Sequence, residues 1–108
     1  MRGMAQFDAY ENPNVAQRVS FPYLVVMQSD QLSHHSTRFA MPLSRLPRPP
    51  ADLPRRLSQA VDIQGEVLYP AAHLCGAWPV QVLRTPVVSM RSQADVLRDA
   101  LDAVISGL

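Results

Sequence analysis

The sequence predicts a mostly β protein: a small antiparallel barrel or curled sheet with one α-helix packed on it. Three observations predict this. Short β-branched and aromatic runs recur between Pro, Gly, Asn and Ser punctuation through residues 5–83. Only the last stretch, RSQADVLRDALDAVISGL, repeats its apolar residues at the 3.6-residue period of a helix. The 108 residues, 47% of them hydrophobic, suffice for one core, so a single domain is expected over 4–108. Met1–Gly3, ahead of a second Met, read as an expression remnant or an upstream start.

Taken in order, AQFDAY (5–10) alternates enough to form a first strand. ENPN (11–14) ends it, because Asn and Asn-Pro favour turns. FPYLVVMQ (21–28) is rich in β formers and too short for a helix. Pro22 stands near its start, where a missing N–H does least harm. SDQLSHHS (29–36) is polar and turn-like apart from Leu32. TRFAMPL (37–43) alternates Thr37, Phe39, Met41 and Leu43 against Arg38, Ala40 and Pro42, the pattern of a half-buried strand ending at Pro42. SRLPRPPADLPRRL (44–57), with four prolines and four arginines, reads as a surface loop. QAVDI-QG-EVLY (59–69) is a hairpin with Gln64-Gly65 at the bend, where Gly accepts a positive φ. YPAAHLCGAWP (69–79) is a longer excursion, and VQVL (80–83) alternates as a further strand.

The helix is expected to begin near Ser89 or Ser92, either of which can cap exposed N–H groups. Met90, Ala94, Leu97, Ala100, Leu101, Val104, Ile105 and Leu108 fall on one side at about 100° per residue. Arg91, Asp95, Arg98, Asp99, Asp102 and Ser106 fall on the other. Gly107 is a natural stop.

The chemistry that composition allows is narrow. Net charge is +1, so no strong field invites nucleic acid or an anionic membrane. A single Cys75 excludes an internal disulfide and fits a reducing cytoplasm. No signal peptide is expected, and no apolar run is long enough to span a membrane as a helix. No phosphate-cradling glycine loop, HExxH or paired CxxC occurs, so no cofactor and no metal site is expected. His34 and His35 are adjacent, and on a strand they would face opposite ways. His73 and Cys75 lack an orienting acid, which argues for packing over catalysis. Trp78 before Pro79 reads as a core aromatic. No catalytic residue is assigned, and the protein is not expected to be an enzyme.

The order of these segments resembles the CcdB-like toxins of type II toxin–antitoxin modules. AQFDAY followed by NPN looks like that family's first strand and loop. PYLVVMQSDQL looks like its second strand with the QSD turn, and TRFAMPL is similar to its third strand. PVVSM and the helix ending ISGL correspond to its terminal helix. The likeness covers nearly all of 4–108 and runs without a gap from Gln28 to Leu108, although Ser44 to Trp78 matches poorly residue by residue. It implies an SH3-like β-barrel with a C-terminal helix, assembled as a homodimer in the cytoplasm. It implies binding to the A subunit of DNA gyrase, trapped on cleaved DNA. It also implies neutralisation by a cognate CcdA-like antitoxin, through which alone the toxin reaches operator DNA.

The family's gyrase surface is an apolar turn after QSD and the last residues of the helix, from both protomers. Carried over, Leu32 matches the second apolar residue of the turn, and Gln31 replaces the first. Ile105, Gly107 and Leu108 match the tail. Ser106 stands where the gyrase poisons carry a Trp that stacks on a gyrase Arg, and Asp102 where they carry an Asn. Val104, Ile105 and Leu108 at the helix end would face the second protomer. Two alternatives remain: an endoribonuclease toxin on a similar barrel, for which Arg18, Arg38 and Arg84 would supply charge, and a non-toxic homologue that only binds an antitoxin.

Overall fold

A computed structural model describes residues 5–32, 34–46 and 59–106. Gly107, Leu108, Met1–Gly3 and most of the proline- and arginine-rich loop predicted at 44–57 lie outside the described residues.

Among the described residues seven strands and one α-helix make up the fold: β1 (Asp8–Glu11), β2 (Tyr23–Val26), β3 (Thr37–Ser44), β4 (Val61–Ile63), β5 (Glu66–Pro70), β6 (Gly76–Pro79), β7 (Pro86–Ser89) and α1 (Ala94–Ser106). They form one sheet in the order β4-β5-β3-β2-β1-β7, with β6 also pairing with β3. Every pairing is antiparallel. The mostly β architecture with one C-terminal helix is thus the one expected.

Strand β3 organises the sheet. Residues 40–43 pair with β2 on one edge. The other edge is shared end to end by β6, at 37–40, and β5, at Leu43 and Ser44. Pro42 sits inside this central strand, an unusual place for a residue without an N–H. Its carbonyl accepts from Ala71 N–H at 2.9 Å, and a strand residue's N–H and C=O point to the same edge. The missing donor therefore falls at the junction of β5 and β6, so β3 continues through Pro42 to Ser44. The half-buried reading is also corrected: the first half of the strand alternates in the opposite sense, with Thr37 and Phe39 exposed and Arg38 buried, while Ala40, Met41, Leu43 and Ser44 are all buried because there each face of the sheet has its own cover. On one face Met41 and Leu43 join Phe7, Val25, Ile63 and Leu68 beneath Leu97 and Ala100 of α1. On the other, Ala40 joins Tyr10, Leu24, Val26 and Leu83, with Trp78 packed against them. Trp78, expected as a core aromatic, is half-buried and packs against this cluster from its edge.

The hairpin bend is as predicted. Gln64 (φ 52°) and Gly65 (φ 88°) are both left-handed, the requirement of a tight two-residue connection between β4 and β5. Three segments differ from expectation. VQVL is not a strand: Val80–Val82 form a 3₁₀ turn, and Leu83 N–H bonds Val80 C=O at 3.3 Å. Four residues are too few to separate a period of two from a period of three. GAWP, taken as an excursion, is β6, a strand whose terminal Pro79 needs no donor. PVVS is not helical but forms β7 on the open edge of β1. A 3₁₀ turn at Arg91–Gln93 then leads into α1, so the helix starts later than expected; Ser89 Oγ accepts from Arg91 N–H at 3.3 Å, but the residue at the capping position is Met90.

The sheet is nearly closed. Its terminal strands are β4 and β7, and the gap between them is bridged by a side chain. Gln93 Oε1 accepts from Asp62 N–H at 2.7 Å, and Gln93 Nε2 donates to Asp62 C=O at 2.8 Å. The amide thus imitates a neighbouring strand on the outer edge of β4.

Candidate functional site

The turn after β2 is built by local hydrogen bonds. Asp30–Leu32 form a single 3₁₀ turn. Ser29 begins it: its Oγ accepts from Gln31 N–H at 3.2 Å and its C=O from Leu32 N–H at 3.0 Å. Gln28 spans it, donating from Nε2 to Leu32 C=O at 2.9 Å while Oε1 accepts from Phe39 N–H of β3 at 3.2 Å. The Leu32 carbonyl also accepts from His35 N–H at 3.1 Å. Gln31 and Leu32 are left outside; Leu32 is 45% exposed, well beyond what a core residue tolerates.

Asp30 ties this turn to the body of the protein. Its Oδ1 accepts from Gln6 N–H at 2.6 Å, and its Oδ2 lies 3.8 Å from Arg91 Nη2. Gln6 Nε2 donates in turn to Met27 C=O at 3.1 Å. Gln6 reaches this position because the chain reverses at Phe7, whose φ of 70° is rare for a bulky residue. Such a residue costs about 1–3 kcal/mol and persists only where its surroundings hold it. Phe7 N–H donates to Val26 C=O at 2.6 Å, Met90 N–H donates to Phe7 C=O at 2.7 Å, and the buried ring lies 5.0 Å under the Arg98 guanidinium.

The far end of α1 behaves differently from its start. Leu97 is fully buried, whereas Val104, seven residues on, is 40% exposed. Seven residues bring a helix back within about 20° of the same direction. Val104 therefore points nearly where Leu97 does, yet it is exposed beside a buried Ala103: the cover has thinned on that side of the helix. Ile105, expected on the apolar side, is 73% exposed: it follows exposed Arg98 by seven residues and so shares the solvent side. Asp102 is exposed, and Ala103 is the last buried side chain among the described residues. Ser106 ends the described helix. The turn is paired with Arg91 in the 3₁₀ turn that precedes α1, and the tail is the far end of that helix, which is about 18 Å long at 1.5 Å per residue. The expected site residues thus fall in two groups, Gln31 and Leu32 in one, Asp102, Val104 and Ile105 in the other. Sequence reasoning passed over Gln6 and Arg91, which lie far from the turn in the chain and carry no motif.

The other candidates resolve as follows. His34 and His35 lie in a turn rather than a strand, so their rings face each other, 4.3 Å apart. Among the described residues no group of three or more His, Cys, Asp and Glu is placed to hold a metal. Burial pushes the Cys75 thiol up to about 11, which leaves it protonated near neutral pH. Arg38 is buried and donates to the His35 and Thr37 carbonyls. Arg18 and Arg84 line an open cleft of about 290 Å³ with Glu11, Pro13, Val82 and Thr85. Arg18 donates to Asn12 C=O at 2.6 Å and pairs with Glu11 at 3.0 Å; Arg84 donates to Gln81 C=O at 2.7 Å. Of the three arginines from which the endoribonuclease alternative would draw charge, Arg38 is thus buried, Arg18 is matched by a carboxylate, and Arg18 and Arg84 share the cleft. No helix among the described residues is long and apolar enough to cross a membrane.

A family model described as CcdB protein matches residues 6–107, nearly the whole chain. No individually curated protein matches it.

Proposed function

The chain belongs to the CcdB family, the gyrase-poison toxins of toxin–antitoxin modules, and from that premise we propose that it acts as a homodimer on the A subunit of DNA gyrase. In this reading it traps gyrase on cleaved DNA in the cytoplasm. A CcdA-like antitoxin neutralises it and alone brings it to operator DNA. The chemistry is binding, not catalysis.

The observation that carries this reading is the helix end. Val104 and Ile105 are apolar and exposed at the end of a helix whose earlier turns are packed. A face of this kind is stabilised by a partner, first a second protomer and then the target. Leu32, exposed on an ordered turn, supplies the second contact, with Gln31 beside it. Ile105, Gly107 and Leu108 keep the family's tail, while Ser106 lacks its aromatic anchor. An anchor of that kind is worth about 2 kcal/mol or more in an interface. Its loss corresponds to at least about tenfold weaker binding. Asp102, in place of the family's Asn, would offset part of this by accepting a bidentate guanidinium from gyrase.

A gyrase supercoiling and DNA-cleavage assay with this protein and with Ser106→Trp tests the reading. Inhibition by the native chain, strengthened about tenfold or more in the variant, is expected. If both are inert the gyrase assignment fails. RNA cleavage in their place would make the protein an endoribonuclease. Tight antitoxin binding without growth arrest would make it a non-toxic homologue.

A further inference from the structure

We propose that Asp30 and Gln6 form a clamp that holds the exposed Gln31–Leu32 turn in one conformation, and that target binding depends on this order. The second half rests on the gyrase reading of that turn. Gln31 and Leu32 are exposed, so core packing does not hold them. What holds the turn from outside is the Gln28 side chain, whose Oε1 accepts from Phe39 N–H of β3 at 3.2 Å, and the short 2.6 Å bond from Gln6 N–H to Asp30 Oδ1. Gln6 is itself pinned at Met27 C=O, and it faces the turn only because Phe7 occupies a left-handed conformation. Strain at a bulky residue, kept in place by three separate contacts, is an observation from which a role can be inferred. Here its effect is to aim a backbone donor at a carboxylate 24 residues away.

The bond, rather than the charge, is what matters in this clamp. The Asp30–Arg91 pair is 3.8 Å long and its side chains are 55% and 64% exposed. Such pairs contribute little in water. The hydrogen bond to the Gln6 backbone N–H, at 2.6 Å, is the stronger contact. Asn at position 30 keeps that acceptor and loses the charge, whereas Ala loses both. A turn ordered in advance spends less entropy when a partner binds.

The experiment compares the native chain with Asp30→Ala, Asp30→Asn and Arg91→Gln. Amide hydrogen exchange at Gln6, Gln31 and Leu32 is measured together with affinity for a purified gyrase A fragment, and a melting curve confirms that each variant is folded. Asp30→Ala is expected to speed exchange at all three amides about tenfold and to weaken gyrase binding by a similar factor. Asp30→Asn and Arg91→Gln should stay within about threefold of the native chain on both measures. Unchanged exchange in folded Asp30→Ala overturns the clamp. Faster exchange with unchanged affinity overturns its part in binding. An Asn variant as defective as Ala overturns the hydrogen-bond account. A native chain that binds no gyrase A overturns the proposed function instead, and the exchange data then decide the clamp on their own.

Discussion

Replacing Gln93 by Ala opens the seam between the first and last strands of the sheet. Two hydrogen bonds are lost at once, at 2.7 and 2.8 Å, both to the backbone of Asp62 on the outer edge of β4. Each such bond contributes about 0.5–1.5 kcal/mol net. Asp62 is exposed and water can replace part of the loss, so the cost is about 1–2 kcal/mol. For a domain of this size that is a fall in Tm of about 5–15 °C. Gln93→Glu sharpens the test. It retains an acceptor for Asp62 N–H but sets a carboxylate against the Asp62 carbonyl. Its penalty should exceed that of Ala at pH 7 and shrink below the usual carboxylate pKa of about 4.3, where a protonated Glu regains a donor. Chemical denaturation at fixed protomer concentration reads the stability, and amide exchange at Asp62 reads the seam. A Gln93→Ala protein within about 0.3 kcal/mol of native, with Asp62 equally protected, would refute the side-chain closure.

Three further expectations follow from the same geometry. Gly65→Ala places a Cβ at φ 88°, and although nothing stands within 4 Å of it, the conformation alone should cost about 1 kcal/mol in urea unfolding. Leu97→Ala should cost about 2–5 kcal/mol at any protein concentration, as a core truncation does, whereas Val104→Ala and Ile105→Asp should act through assembly. Sedimentation would then show Ile105→Asp shifted toward a single protomer, and a concentration-independent native melting curve would argue against the dimer. With its thiol at about 11, Cys75 is ionised to only about one part in a thousand at pH 8. Disulfide reagents should therefore modify the folded protein far more slowly than the urea-unfolded chain, and equal rates would contradict the burial.

The parts of this protein that were legible in sequence are those decided by neighbours along the chain. Gln64-Gly65 announces a tight bend because left-handed φ is a local property. The spacing of Ala94, Leu97, Ala100 and Leu101 defines the buried side of α1, because a helix sets its own periodicity. Leu32 stands out as the apolar exception in a polar turn, and it remains exposed there. Other features depend on partners far away in the chain. GAWP became a strand because the first half of β3 had a free edge, and PVVS because β1 had one. Alternation in TRFAMPL promised one wet face, yet Leu83 and Trp78 cover the side that it left polar.

Leu97 and Val104 illustrate the division most directly. Sequence alone determines that they share one side of the helix. Whether that side is covered depends on where the barrel stops, and a helical period contains no record of that. The same holds at the turn, where Asp30 is recognisable as a polar surface residue but its bond to Gln6 is not. Local stereochemistry is a short-range effect and is written in the order of residues. Burial, strand pairing and the strained reversal at Phe7 are set by contacts between distant segments, and only the tertiary structure decides them.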